Sequence, residues 1–180
     1  MFIIQGSARE QGNTEQLTEL LTEGVVATTI RLREYEIEQI DDKRHASEGF
    51  APVEGELRTI VEQMLEHDTL VFATPLYWYG MSGLMKVFID RWSQCLRDDQ
   101  LQFKERMKGK KVYLVVVGGP SAKMTGLPFV QQFRHICEFM GMSFEGWIIG
   151  RGSKPGDVLE DKQTIAEVQQ LNLQFRQLQS

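Results

Sequence analysis

The chain has 180 residues, of which 42% are hydrophobic and 25% charged, and this balance predicts one folded domain over residues 1–180. Its formal net charge of −5 argues against a general binder of nucleic-acid backbones. No apolar run approaches the roughly 20 residues of a membrane span, and no signal peptide precedes the first apolar run. The two cysteines and three histidines show no metal-ligand spacing. We therefore expect a cytoplasmic protein with no metal site and no nucleic-acid or membrane partner.

Short apolar runs alternate with amphipathic stretches along the chain. In chain order the pattern predicts a strand at 2–4, a helix at 17–25, a strand at 30–37, a helix at 57–65, a strand at 70–73, a helix at 82–96, a strand at 112–117, a helix at 129–140, a strand at 144–149 and a helix at 165–178. Charges alternate with apolar residues in the second strand, which indicates an exposed edge with a one-residue shift of the kind that a bulge produces. The polar segments 41–51 and 98–111 are predicted to be long loops.

Five strands that alternate strictly with five helices predict an α/β fold, in which a parallel sheet carries helices on both faces. The edge character of the second strand fits the strand order 2-1-3-4-5. That order belongs to the flavodoxin-like three-layer sandwich, which binds its ligand at the carboxyl edge between the first and third strands.

The loop after the first strand has the composition of a phosphate-binding loop. Arg9 can form two parallel hydrogen bonds with phosphate oxygens, and the following helix adds free N–H groups and the positive end of its dipole. The other candidate ligands in this loop are Ser7, Gly12, Asn13 and Thr14. The alternative is an ordinary strand-to-helix turn in which Asn13 caps the helix and Gln16 completes a capping box, and such capping does not exclude phosphate binding.

Two further loops follow the third and fourth strands at the same predicted edge of the sheet. The three consecutive aromatic residues Tyr77, Trp78 and Tyr79 cannot all enter one core from a loop, so some of them must line a cleft or an interface. An aromatic patch between subunits is the alternative to a wall for a flat ring. The pair Gly118-Gly119 would let backbone N–H groups approach a ring edge, and a simple turn is the alternative there.

Two sequence patterns resemble those of a known family. The first loop reads G-S-x-R-x-x-G-N-T, and the third strand is followed by P-x-Y-aromatic, S-G and I-D-R elements. These patterns resemble the NADPH-dependent FMN reductase branch of the flavodoxin-like superfamily. The resemblance implies that the first loop binds the phosphate of FMN, that residues 75–80 contact the flavin ring and that the Gly-Gly pair reaches its pyrimidine edge. The implied cofactor-binding residues are Ser7, Arg9, Gly12, Asn13, Thr14, Pro75, Leu76, Tyr77, Trp78, Tyr79, Gly80, Gly118 and Gly119.

The resemblance further implies an oxidoreductase in which NADPH or NADH supplies hydride to FMN and a small electron acceptor, such as a quinone or another electron-poor aromatic, removes it. We assign no catalytic residue, because flavin chemistry resides in the cofactor. Lys123 or Arg151 is a candidate partner for an NADPH phosphate, and a homodimer or homotetramer is expected. Two alternatives stay open: a flavodoxin-type electron carrier, and a flavin-binding protein that signals through a partner. Residues 40–50 contain no cysteine, so we expect no iron–sulfur cluster.

Overall fold

Five short strands form the centre of the molecule, and the computed structural model describes residues 1–178. The strands are β1 (Phe2–Gln5), β2 (Thr28–Arg31), β3 (Thr69–Pro75), β4 (Lys111–Gly118) and β5 (Ser143–Arg151). All neighbouring strands are parallel, and their order is β2-β1-β3-β4-β5, which confirms the predicted flavodoxin-like α/β fold. Residues 179 and 180 lie outside the described residues. The assignment of residues 1–180 to one domain stays a prediction.

Helices cover both faces of the sheet because the central strands are apolar on both sides. Among the described residues the helices are α1 (Asn13–Leu21), α2 (Gly55–Leu65), α3 (Gly83–Asp90), α4 (Trp92–Cys95), α5 (Phe103–Met107), α6 (Ala122–Thr125), α7 (Leu127–Met140) and α8 (Lys162–Gln177). Helices α1 and α8 bury their apolar residues against one face, and α2, α3 and α7 bury theirs against the other. No described helix is both long enough and apolar enough to cross a membrane.

The second strand is shorter than predicted. It ends at Arg31, and a 3-10 turn at Leu32–Glu34 follows, so Tyr35 and Ile37 lie outside the sheet. The cause is its neighbour: β1 has four residues, and its pairing with β2 ends at Gln5 and Arg31. Leu32 then turns into the core, where it is fully buried. The expected bulged strand over 30–37 was therefore wrong.

Two short helices were missed, and two predicted helices differ clearly from the observed ones. The predicted helix 82–96 is divided into α3 and α4, and α1 ends at Leu21 because Gly24, in the left-handed region at φ +69°, turns the chain toward β2. Helix α5 lies in a segment predicted to be a loop, and its buried Phe103 and Met107 attach it to the core. Helix α6 immediately follows β4. The short helices escape prediction because four or five residues carry little periodicity.

Candidate functional site

Loops from four strands meet at the carboxyl edge of the sheet and enclose a cavity of about 240 Å³. The cavity is lined by Ser7, Arg9, Gly12, Asn13, Thr14, Pro75, Leu76, Tyr77, Val117, Gly118, Gly119, Gly152 and Ser153. Ten of the thirteen predicted cofactor-binding residues are in this lining. The other three, Trp78, Tyr79 and Gly80, form the neighbouring turn and do not line the cavity.

The loop between β1 and α1 presents polar groups to one end of the cavity. The Ser7 hydroxyl is buried and accepts a hydrogen bond from the Arg9 backbone N–H at 3.1 Å. Helix α1 begins after Gly12, which has no side chain to accept from the N–H groups of the first turn. Thr14, in that first turn, is buried against the cavity. A helix N-terminus with hydroxyl groups beside it is a ready anion site.

Arg9 supplies the positive charge of this loop. Arg9 is exposed and lines the cavity. Within residues 1–178, no carboxylate lies within ion-pair distance of its guanidinium. A guanidinium without an internal partner is available for a bidentate contact with an anionic ligand.

Asn13 has a different role from the predicted helix cap. Its side-chain amide donates to the carbonyl of Lys154 at 2.8 Å, and its side-chain oxygen accepts from the N–H of Val158 at 3.3 Å. The capping box is therefore absent, and the Gln16 side chain instead donates to the Gln11 carbonyl at 3.1 Å. Asn13 thus holds the loop after β5 against the first loop.

The loop after β5 is a part of the site that sequence reasoning missed. Gly152 and Ser153 line the cavity. A Cβ on Gly152 would lie 2.8 Å from the Asn13 side-chain nitrogen and 2.8 Å from the Val158 N, so this position requires glycine. The available signal was the pair Gly150 and Gly152 at the end of the last predicted strand, at the same sheet edge as the other loops.

The loop after β3 joins the first loop through Ser82. The Ser82 hydroxyl donates to the Gly6 carbonyl at 2.5 Å and accepts from the Met85 N–H at 3.2 Å, which caps α3. Its own N–H donates to the Thr74 hydroxyl at 2.9 Å. Gly6 fits closely here, because a Cβ would lie 3.0 Å from the Ser82 hydroxyl oxygen. The wall formed by Pro75 and Leu76 is thereby fixed relative to the first loop.

The aromatic residues of this loop form a tight two-residue turn beside the cavity. Tyr77 and Gly80 exchange two backbone hydrogen bonds of 3.0 Å. Trp78 and Tyr79 occupy the centre of the turn with φ of +48° and +65°. Trp78 and Tyr79 are 96% and 64% exposed. Tyr77, which lines the cavity, is half-exposed. Large side chains at positive φ are unfavourable, so this turn displays aromatic rings at a cost in backbone energy.

Gly118 and Gly119 form the remaining wall after β4. A Cβ on Gly118 would lie 3.0 Å from the Cβ atoms of Leu76 and Ala122. The Gly118 carbonyl accepts from the Gly152 N–H at 2.8 Å. These contacts show why position 118 requires glycine, and both Gly118 and Gly119 line the cavity.

Two cations considered for a nicotinamide phosphate are already paired. Arg151 contacts Asp161 at 2.9 Å, and Lys123 contacts Glu167 at 3.2 Å. The hydrogen bond from Arg151 holds the pKa of the Asp161 carboxyl far below its usual value and outweighs the effect of burial. Among the described residues, no group of three or more His, Cys, Asp or Glu side chains is arranged to hold a metal ion.

Comparison with known proteins identifies the family. The sequence model of the family described as NADPH-dependent FMN reductase matches residues 1–146. The chain belongs to this family. It is 48% identical over 170 residues to a protein of Bacillus subtilis (strain 168), YwqN, whose name describes an NAD(P)H-dependent FMN-containing oxidoreductase; the match covers 94% of each chain. Like its family, the chain is an FMN-dependent oxidoreductase that uses NAD(P)H.

Solved structures agree with this FMN reductase fold. A Bacillus subtilis structure described as a Trp repressor binding protein superposes with a TM-score of 0.80 at 43% identity, over 94% of this chain and 98% of that one. An FMN-dependent NADH-azoreductase of Bacillus anthracis, solved with FMN, superposes with a TM-score of 0.69 at 13% identity, over 97% and 98% of the two chains. The second likeness shows the fold alone.

The residues of the cavity fit the FMN of this reductase family. A phosphate would fit the N-terminus of α1, the hydroxyls of Ser7 and Thr14, and the guanidinium of Arg9, which has no ion-pair partner in the described part of the chain. Pro75 and Leu76 line the cavity beside the close backbone approach at Gly118, and apolar side chains next to backbone polar groups suit a planar heterocycle.

Proposed function

We propose that this FMN-dependent oxidoreductase transfers reducing equivalents from NADPH or NADH to a small electron-poor aromatic acceptor, such as a quinone. The single observation that carries the proposal is the cavity itself, which joins Arg9, without an ion-pair partner among residues 1–178, and a helix N-terminus to an aromatic wall at Tyr77. When bound, FMN supplies the hydride and electron chemistry. The protein residues bind it, orient it and limit which molecules reach it.

Each predicted residue has a role in this proposal. The phosphate contacts are the hydroxyls of Ser7 and Thr14, the guanidinium of Arg9 and the backbone N–H groups that follow Gly12. Asn13 contributes through its backbone, because its side chain holds the loop after β5. The ring wall consists of Pro75, Leu76, Tyr77, Gly118 and Gly119, and the rim consists of Trp78, Tyr79 and Gly80.

An aromatic acceptor suits the rim better than a small inorganic one. The exposed rings of Trp78 and Tyr79 offer flat apolar faces next to the cavity. Planar aromatic ligands bind such faces by stacking.

A homodimer or homotetramer and a cytoplasmic location are parts of the same proposal. An apolar groove of about 380 Å³ runs between α3–α4 and α7, with Ile89, Leu96, Ile136 and Phe139 in its walls. Phe139 is 63% exposed at this groove. Exposed apolar surface of this kind is typical of a subunit contact.

The cytoplasm holds the NADPH and NADH pools on which the reaction depends.

The deciding experiment is anaerobic mixing of the FMN-loaded protein with NADPH and then with NADH, followed through the visible absorbance of the flavin. Rapid bleaching, and its reversal by a quinone, is the expected result. Tight FMN binding without bleaching by either nucleotide would contradict the reductase proposal and would favour an electron carrier or a flavin-dependent binding protein.

A further inference from the structure

A buried carboxylate lies beside the phosphate loop, in the first turn of α1. The Glu15 side chain is only 6% exposed. One of its oxygens forms an ion pair with Arg31 Nε, and the same oxygen lies 3.4 Å from Arg33 Nη2. A buried charge is costly unless it is paired and hydrogen-bonded. The burial of the Glu15 carboxylate between two arginines therefore calls for a structural explanation.

The second oxygen of Glu15 reaches the phosphate loop. It accepts a hydrogen bond from the Gln11 backbone N–H at 2.9 Å. The Gln11 carbonyl in turn accepts from the Gln16 side chain at 3.1 Å. Gln11 has a φ of +48°, in the left-handed region that residues other than glycine rarely adopt. Two side chains of α1 therefore hold both backbone polar groups of this strained residue, immediately before Gly12.

The two arginines attach this contact to the edge strand. Arg31 ends β2, where it pairs in register with Gln5 of β1, and Arg33 lies in the 3-10 turn that follows. Hydrogen bonds from both arginines keep the pKa of Glu15 below its usual value, although burial alone would raise it. Glu34 lies 3.9 Å from each arginine. The positive charges of the two arginines offset the charge of Glu15, so this carboxylate adds little repulsion toward a bound phosphate.

We propose that Glu15, held by Arg31 and Arg33, is a positioning residue that fixes Gln11 in its left-handed conformation and so shapes the loop for the FMN phosphate. The inference rests on the proposed phosphate site. It assigns no contact between Glu15 and the ligand. Its consequence is specific: loss of Glu15 weakens the contribution of the phosphate to binding and leaves binding of the flavin ring in place.

The test compares FMN with riboflavin, which lacks the phosphate, by titrating the apoprotein and following flavin fluorescence. Glu15→Ala is expected to weaken FMN binding about tenfold, which is the effect of one lost hydrogen bond to a charged group. Riboflavin binding is expected to change less than about twofold, because no ring contact is altered. Glu15→Gln keeps an oxygen that can accept from Gln11 and should show a smaller loss of FMN binding. Glu19→Ala, an exposed glutamate one turn later on α1, is the matched control and should leave both affinities unchanged.

The outcomes separate this inference from the proposed function. Equal losses for FMN and riboflavin, or no loss for either, would overturn the role of Glu15. If Glu15→Ala does not fold, Glu15→Gln decides by the same ratio, and an unchanged ratio overturns the inference. If the unmodified protein binds FMN and riboflavin equally, the assignment of the phosphate site is wrong, and the observation that supports the proposed function is lost as well. Amide hydrogen exchange at Gln11 and Gly12 in the apoprotein gives a readout independent of flavin, and faster exchange in Glu15→Gln is expected.

Discussion

The charged residues at the carboxyl edge divide into paired and unpaired groups. Arg31 and Arg33 are bound by Glu15, and Arg151 is bound by Asp161. Arg9 has no such partner among residues 1–178, and it lines the cavity. Within the cavity lining, Arg9 is therefore the residue whose charge is available to a ligand, and the phosphate assignment depends on it most directly.

Removal of the Arg9 guanidinium should weaken FMN binding and spare riboflavin. We expect Arg9→Ala to raise the dissociation constant for FMN about tenfold to a hundredfold, since a charge-assisted bidentate contact contributes about 1.5–3 kcal/mol. Titration of flavin fluorescence measures both ligands. Arg106→Ala on α5, before β4 and so at the opposite edge of the sheet, serves as the control. A loss of the same size for riboflavin would contradict the phosphate role.

Asn13 shows what a local reading of the sequence leaves out. An asparagine at the start of a helix predicts a cap, and the flanking residues supported that interpretation. Its actual partners lie 141 and 145 residues later in the chain, at Lys154 and Val158. The position of the first-loop residues in the cavity lining was predictable, because glycine, hydroxyl and arginine within a short stretch after a strand are typical of a phosphate-binding loop. The structural role of the Asn13 side chain was not predictable, because its partners lie in the loop after β5, which is distant in sequence.

At the scale of elements, the aromatic turn is the clearest departure from local preference. A two-residue turn with positive φ at both centres favours Asn-Gly. Here Trp78 and Tyr79 occupy those positions, and their side chains gain little burial in return. Strain of this kind persists at functional sites, where the displayed side chains matter more than stability.

Replacement of the aromatic pair by Asn-Gly should stabilise the protein and impair its reaction with aromatic acceptors. We expect Trp78→Asn with Tyr79→Gly to raise the free energy of unfolding by about 1–3 kcal/mol, since each left-handed residue costs about 1–2 kcal/mol. The KM for a quinone should rise several-fold, and the rate with ferricyanide, which needs no stacking, should change little. Chemical denaturation and steady-state kinetics measure the two effects.

Gln102 provides the matched control for the turn. It also has a positive φ, of 46°, but it precedes α5, far from the cavity lining. Gln102→Gly should stabilise the protein modestly and leave the kinetics unchanged. Unaltered stability in the Asn-Gly variant would show that the aromatic turn is not strained.

The elements themselves were predictable where periodicity was long. The strand order followed from the alternation of apolar runs with helical stripes and from the charged character of the second strand. The end of that strand was mispredicted because Leu32 leaves the sheet for the core, which only the short pairing partner β1 explains. Helix α5 was missed because the burial of Phe103 and Met107 is a property of the packed molecule.

At the scale of the whole molecule, Asp161 joins the sheet to the last helix. Its carboxylate accepts from the backbone and side chain of Arg151 at the end of β5, and it caps α8 through Thr164. Because the Arg151 hydrogen bond lowers its pKa in the folded state, the ionised carboxylate stabilises the fold at neutral pH. That contribution is present above the pKa of the unfolded chain, about 3.9, and is lost as the pH falls below it.

Acid should therefore destabilise the protein through Asp161. The free energy of unfolding is expected to fall from about pH 4 downward, and to fall less steeply in Asp161→Asn, which keeps a capping side chain but not the charge. Urea denaturation at a series of pH values measures this. Arg151→Met should flatten the profile in the same direction. Parallel profiles for all three proteins would contradict the assignment.

The apolar groove should determine the oligomeric state. We expect Phe139→Glu to dissociate the proposed homodimer or homotetramer, because a charge would be buried in the proposed contact. Sedimentation velocity measures the change in mass. Leu173→Glu, an equally exposed apolar position on α8 at the opposite face of the sheet, should leave the oligomer intact. Dissociation by the second variant alone would place the interface on the other face.

The bridge from Asn13 to Lys154 and Val158 also bears on biosynthesis. Residues 6–14 leave the ribosome well before residues 154–158, which hold them in place. A nascent chain that stops at residue 146 contains every predicted cofactor contact and still lacks this brace. Acquisition of the flavin should therefore wait until residues 154–158 have emerged, and ribosome-bound intermediates that stop at residue 146 should bind FMN poorly.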